Sequence, residues 1–131
     1  MENVAGTGGK DMKESELERR FCRLVEQAGG KAYKFVSPGN GGVPDRIVVL
    51  PGGRIGFVEL KRPGEAPRKL QQFRRQELEG LGCYTAVADS LERAEAVITE
   101  LQRQAPVAHA RDPLFEEMIN RRPGRKGGVL L

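Results

Sequence analysis

A chain of 131 residues, 38% hydrophobic and 31% charged, has room for one small domain under a heavily charged surface and not for two. No apolar run approaches the ~18 residues of a membrane span, and the Gly-rich residues 1–10 lack the apolar stretch of a secretory signal, so no membrane partner is expected and cytoplasm is the expected compartment. Cys22, Cys83 and His109 are too few for a structural zinc site or a disulfide framework; any metal must be held by carboxylates and water, which favours Mg²⁺ or Mn²⁺, while a net charge of +4 and a pI near 9.3 suit a polyanionic partner.

Residues 1–10 read as a disordered leader. From Asp11 to Ala28, Leu17, Phe21, Leu24, Val25 and Ala28 recur at helical spacing, with Asp11 or Ser15 as cap and Gly29-Gly30 as stop. Lys31 to Val36 reads as a strand, followed by a loop of Gly, Pro and Asn over 37–42. Two β-rich runs, Asp45 to Leu50 and Arg54 to Lys61, flank Pro51-Gly52-Gly53, which is a hairpin signal. After a Pro/Gly loop over 62–67, Lys69 to Leu81 is helical, with Leu70, Phe73, Leu78 and Leu81 apolar. Cys83 to Ala88 is a strand. Asp89 to Gln104 is a helix with Leu91, Ala94, Val97, Ile98 and Leu101 inward, and Asp89 with Glu92 can form a capping box. The order is α-β-β-β-α-β-α, an α/β domain over residues 11–104 with a central sheet flanked by helices. Residues 105–131 form an extension, with a short helix over 112–120 and a basic tail carrying Arg121, Arg122, Arg125 and Lys126.

The hairpin carries a residue-level consequence. A three-residue link sets Leu50 against Arg54, and the same register sets Asp45 against Glu59. Directly opposed residues hold their Cβ atoms roughly 4.5–5.5 Å apart, so two acids placed there repel unless a cation lies between them. Strand alternation turns Lys61 to the same side as Glu59 and Leu60 to the other. Aspartate, glutamate and lysine thus gather at one end of a hairpin, beside Arg62, Arg68, Lys69, Arg74 and Arg75. Phosphodiester hydrolysis asks for this set: carboxylates to place a metal that activates water, and a lysine to orient the nucleophile and offset phosphate charge.

Gly42-Val43-Pro44-Asp45, then Glu59-Leu60-Lys61, then Gln71 in the following helix, resembles the VRR-NUC branch of the PD-(D/E)xK nucleases. The flanking residues 34–40 and 51–54 are similar to small stand-alone members from phages and bacteria. The resemblance runs from Ser15 to Ile98 and implies a restriction-endonuclease-like core with a mixed sheet. It also implies Asp45, Glu59 and the backbone carbonyl of Leu60 as metal ligands for Mg²⁺ or Mn²⁺, with Lys61 and Gln71 completing a catalytic set.

A glutamate from the first helix belongs to the family pattern. Among Glu14, Glu16, Glu18 and Glu26, Glu18 fits best because it borders the apolar face carrying Phe21 and Val25; as a plain structural residue it can instead close a capping box with Ser15. The implied activity is endonucleolytic cleavage of DNA, selective for branched or Holliday-junction structures, by a homodimer, with Arg62, Arg68, Lys69, Arg74, Arg75 and Asn40 toward the nucleic acid. Two rivals stay open: a non-catalytic nucleic-acid-binding module on the same fold, and an RNA-directed nuclease.

Overall fold

A computed structural model describes residues 12–108 and 112–121. The leader over 1–10, His109, Arg122, Arg125 and Lys126 lie outside the described residues. The elements follow in the expected order: α1 (Glu14–Gln27), β1 (Lys31–Lys34), β2 (Arg46–Leu50), β3 (Arg54–Leu60), α2 (Lys69–Gly80), β4 (Tyr84–Ala88), α3 (Leu91–Gln102) and α4 (Pro113–Asn120). The strands form one mixed sheet in the order β1-β2-β3-β4, antiparallel through β3 and parallel between β3 and β4.

The β2–β3 turn fixes everything downstream. Gly52 and Gly53 sit at φ +90° and +72°, left-handed conformations that L side chains rarely adopt, and they close the chain so that Leu50 meets Arg54. The ladder then runs to Arg46 against Val58. This phase puts Val48, Leu50, Val58 and Leu60 on one sheet face, all 2% exposed or less. Against that face pack Leu17, Phe21 and Val25 of α1, and Ala94, Val97, Ile98 and Leu101 of α3. Each large side chain so buried contributes roughly 1.5–3 kcal/mol, so the hairpin phase is held by the core as well as by the turn.

Boundaries differ from the sequence reading for local reasons. Lys13, not Ser15, stands at the N-cap of α1, without a side-chain cap bond, and Asp11 lies outside the described residues. The strand expected to reach Val36 ends at Lys34, although the Phe35 N–H still donates to the Asp45 carbonyl at 2.9 Å. At α3 the cap is Ser90, whose hydroxyl accepts from the Arg93 N–H at 3.1 Å; Asp89 instead pairs with Arg93 at 3.4 Å.

The other sheet face is more open. It carries Tyr33, Ile47, Val49, Ile55 and Phe57, of which Tyr33 and Ile55 are more than half exposed. Helix α2 buries none of its residues; Leu70, Phe73 and Leu81 are all exposed. Past α3 the chain returns to the hairpin turn, where the Val107 N–H donates to the Gly52 carbonyl at 2.7 Å and Arg54 Nε to the Gln104 carbonyl at 2.8 Å. Asp112 caps α4 through the Leu114 N–H, and Leu114, Phe115, Met118 and Ile119 on this helix are exposed.

Candidate functional site

The site lies where β2 begins and β3 ends, with the first turns of α1 and α2 closing on it from opposite sides of the sheet. Glu59 and Lys61, two residues apart, leave the core face and yet are each only 8% exposed. Their burial is compensated by mutual contact: Lys61 Nζ lies 3.5 Å from Glu59 Oε2. The Lys61 backbone is pinned separately, its N–H donating to the Ala88 carbonyl of β4 at 2.9 Å.

Gln71 completes the support of Glu59. Its Nε2 donates to Glu59 Oε2 at 2.8 Å, while its Oε1 accepts from the Arg68 N–H at 2.9 Å. The second bond satisfies an otherwise orphan amide at the start of α2 and fixes which way the side-chain amide points. One carboxylate oxygen of Glu59 is therefore held by two donors. The other, Oε1, is buried with no hydrogen-bond partner.

Asp45 sits one residue before β2, just past the last paired residues, Arg46 and Val58. Its Oδ1 accepts from the Leu60 N–H at 3.2 Å, so Leu60 meets Asp45 through its N–H. The tightest acidic cluster joins Asp45 to α1 and not to Glu59: carboxylate oxygens of Glu14, Glu18 and Asp45 lie within 4.8 Å of one another. Glu18 also reaches Arg46 Nη2 at 3.8 Å, and because α1 begins at Glu14 with Lys13 at its N-cap, Ser15 is not the cap with which Glu18 would close a box. Glu14, passed over in the sequence, is present by helical spacing, one turn before Glu18. Arg46 was also missed, although its alternation with Val48 and Leu50 puts a guanidinium on the core face; its Nε is buried and unpartnered.

So much negative charge has electrostatic consequences. Burial, then the neighbouring Glu59 and Glu18, pushes the Asp45 carboxyl up to about 7, against the lowering effect of the Leu60 N–H. Burial also raises Glu59, with Lys61 opposing. The Glu14–Glu18–Asp45 cluster, met by Arg46 at Glu18, and the Glu59 carboxylate, met by Lys61 but with one oxygen orphaned, fit a hard divalent cation held by oxygen ligands. Asp45, Glu59 and the α1 glutamates are the residues that would hold it.

Of the remaining candidates, Arg62, Arg68 and Lys69 are exposed, and among the described residues none is ion-paired. Arg74 and Arg75 are structural in part. Arg74 Nε donates to the Gly41 carbonyl at 3.0 Å and its Nη1 pairs with Glu77, while Arg75 Nε serves Glu79 and Thr85. Asn40 bonds Ser37 within the loop at 3.0 Å. That loop is packed against α2 at Gly42, where φ is +86° and an added Cβ would approach Leu70 Cγ to 2.7 Å.

No family model matches the sequence. The chain is 48% identical over 79 residues to "Putative nuclease p44" of Acyrthosiphon pisum secondary endosymbiont phage 1, covering 60% of this chain and 85% of that relative. A solved "VRR_NUC domain" superposes with a TM-score of 0.63 at 28% identity, over 66% of this chain and 94% of that one. On this similarity in sequence and fold, the chain belongs to the VRR-NUC family of nucleases.

Proposed function

We propose that this VRR-NUC protein is a divalent-metal-dependent endonuclease that hydrolyses DNA phosphodiester bonds, selectively at branched structures. The observation that carries the reading is the state of Glu59: Oε2 is fixed by Lys61 and Gln71, and Oε1 is buried without a hydrogen-bond partner, while Glu14, Glu18 and Asp45 form a carboxylate cluster whose Asp45 feels the Glu59 charge. An unpartnered buried carboxylate oxygen is costly, and a bound cation is the partner that would remove that cost.

Mg²⁺ or Mn²⁺, bound by Asp45 and Glu59 with an α1 glutamate, would supply a water of lowered pKa and polarise a phosphate oxygen. The rest falls to the chain itself. Lys61, tethered by Glu59, presents its remaining N–H donors to the attacking water or to a non-bridging phosphate oxygen, where charge grows in the transition state. Gln71 holds Glu59 against rotation, so its free oxygen keeps one direction. Arg62, Arg68 and Lys69, whose cations are not spent on internal pairs, draw the sugar-phosphate backbone toward an otherwise acidic centre. A non-catalytic binder has no use for four carboxylates that repel phosphate.

The finer parts of the proposal have their own supports. The exposed apolar positions Tyr33 and Ile55 on the open sheet face favour a homodimer, which would present two active sites to a branched substrate. Among the described residues no helix is long and apolar enough to cross a membrane, and DNA inside a bacterial or phage-infected cell is the natural substrate pool. The test is a panel of linear, flap and four-way-junction DNA with Mg²⁺ or Mn²⁺, EDTA controls and a Lys61→Ala variant, with matched RNA alongside. Metal-dependent cleavage of branched DNA that Lys61→Ala abolishes is the expected result. Cleavage that survives the substitution, or that needs no metal, refutes the assignment.

A further inference from the structure

Beside Glu59 and Gln71 a half-open cavity of about 380 Å³ runs between α2 and the open sheet face. That size is within the roughly 300–1,000 Å³ of small-molecule sites. Its walls are chemically mixed. Pro44, Pro67 and Val87 give flat apolar surface; Gln76 of α2 offers an amide that both donates and accepts, and Gln72, whose Nε2 donates to the Pro67 carbonyl at 2.9 Å, keeps its Oε1 and second N–H for an occupant. Its ionisable lining is Glu59, Arg75 and Glu79. The arginine is already committed, its Nε donating to Glu79 and to Thr85 Oγ1 at 2.8 Å, while the Thr85 hydroxyl donates to Glu79. Two carboxylates against one engaged guanidinium repel a phosphate. A neutral, planar group with hydrogen-bonding edges is what such a lining accepts.

We infer that this cavity receives the base of an unpaired nucleotide next to the phosphate that Glu59 and Lys61 address. This rests on the nuclease reading above and deepens it, because the cavity shares Glu59 and Gln71 with the catalytic centre, so its occupant must be a close neighbour of the reacting phosphate. Extruding a base from a duplex costs pairing and stacking free energy; a nucleotide already unpaired at a branch point carries no such cost. The cavity therefore supplies selectivity for flaps and junctions without reading sequence, since the two glutamine amides can meet the edge of any base. Gln72 and Gln76 are the specificity-determining residues, and Pro44, Pro67 and Val87 provide the faces between which the ring lies.

The test measures binding, not turnover. Fluorescein-labelled flap DNA, carrying either a natural nucleotide or an abasic site at the unpaired branch-point position, is titrated with protein in Ca²⁺ and followed by anisotropy. The wild type is expected to bind the abasic flap about tenfold more weakly, the scale of one lost bidentate base contact. A Gln72→Ala, Gln76→Ala double variant is expected to bind both flaps alike, and Gln76→Ala alone, which leaves the Gln72–Pro67 bond in place, is expected to reduce the ratio. Equal binding of the two flaps by the wild type, no binding of either, or a tenfold ratio that persists in the double variant overturns the inference. Mg²⁺-dependent cleavage by the wild type is scored separately. Cutting without base discrimination removes the pocket and leaves the nuclease; discrimination without cutting supports the pocket and removes the nuclease.

Discussion

Replacing Asp45 by asparagine should stabilise the metal-free protein, and the size of the effect should depend on pH in a defined way. Asp45 is pushed up from an ordinary value of 3.8 to about 7 by burial and by Glu59 and Glu18. A folded-state pKa above the unfolded one means that the folded chain prefers the protonated acid. The associated stability is present in full below about pH 3.8 and is lost as pH rises through about 7. At pH 8 the folded chain carries the ionised group at a cost of about 4 kcal/mol at face value, reduced to about 2 kcal/mol by solvent screening of a group that is not fully buried. At pH 5 the cost falls to about 1 kcal/mol or less.

Asparagine removes the charge and keeps an oxygen for the Leu60 N–H. Urea denaturation in EDTA at pH 8 and pH 5 reads the difference. The variant should gain about 2 kcal/mol over the wild type at pH 8 and clearly less at pH 5. An equal gain at both pH values, or a less stable variant at pH 8, would mean that Asp45 is not under the electrostatic stress assigned to it.

Other consequences are simpler to state. Gln71→Ala frees Glu59 from one of its two anchors, and kcat for branched-DNA cleavage should fall about 10–100-fold, alongside a stability loss of about 1–3 kcal/mol from the two hydrogen bonds removed; an unaltered kcat would count against the orienting role. Gly42→Ala forces a side chain into a left-handed φ of +86° and against Leu70, and chemical denaturation should show a loss of about 1–3 kcal/mol. Phe21→Ala, at a fully buried core position, should cost about 3–5 kcal/mol. Removing the cations of Arg62 and Lys69 together should weaken DNA binding and flatten its dependence on salt by roughly one to two phosphate contacts; a slope identical to wild type would place the DNA elsewhere.

What the sequence made legible was mostly what short-range rules control. The three-residue link between two alternating runs set the β2–β3 register, whose ladder runs from Leu50 and Arg54 to Arg46 and Val58, one step short of Asp45 and Glu59, and strand alternation put Glu59 beside Lys61. Gln71 was legible too, by family resemblance, and its bond to Glu59 gives that resemblance a physical basis. What escaped depends on how elements cross in space. Glu14 and Glu18 share a helix face, but only the packing angle of α1 over the sheet decides that both reach Asp45. Arg46 occupies a core-facing strand position whose tolerance for charge is set by Glu18 from another element. The apolar residues of α2 recur as a buried face would, yet Leu70, Phe73 and Leu81 find little to pack against within the chain. Ser90, not Asp89, caps α3 because the helix begins at Leu91, where its apolar pattern begins, two residues after the expected start.

Direct binding of Mn²⁺, followed by the electron paramagnetic resonance signal of the free ion, is the most immediate check on whether these carboxylates form a metal centre. The wild type should take up Mn²⁺ at a site that Glu59→Gln and Asp45→Asn each weaken by at least about tenfold, in line with the loss of one oxygen ligand. Uptake that is absent, or that is the same in all three proteins, would contradict the account at its root.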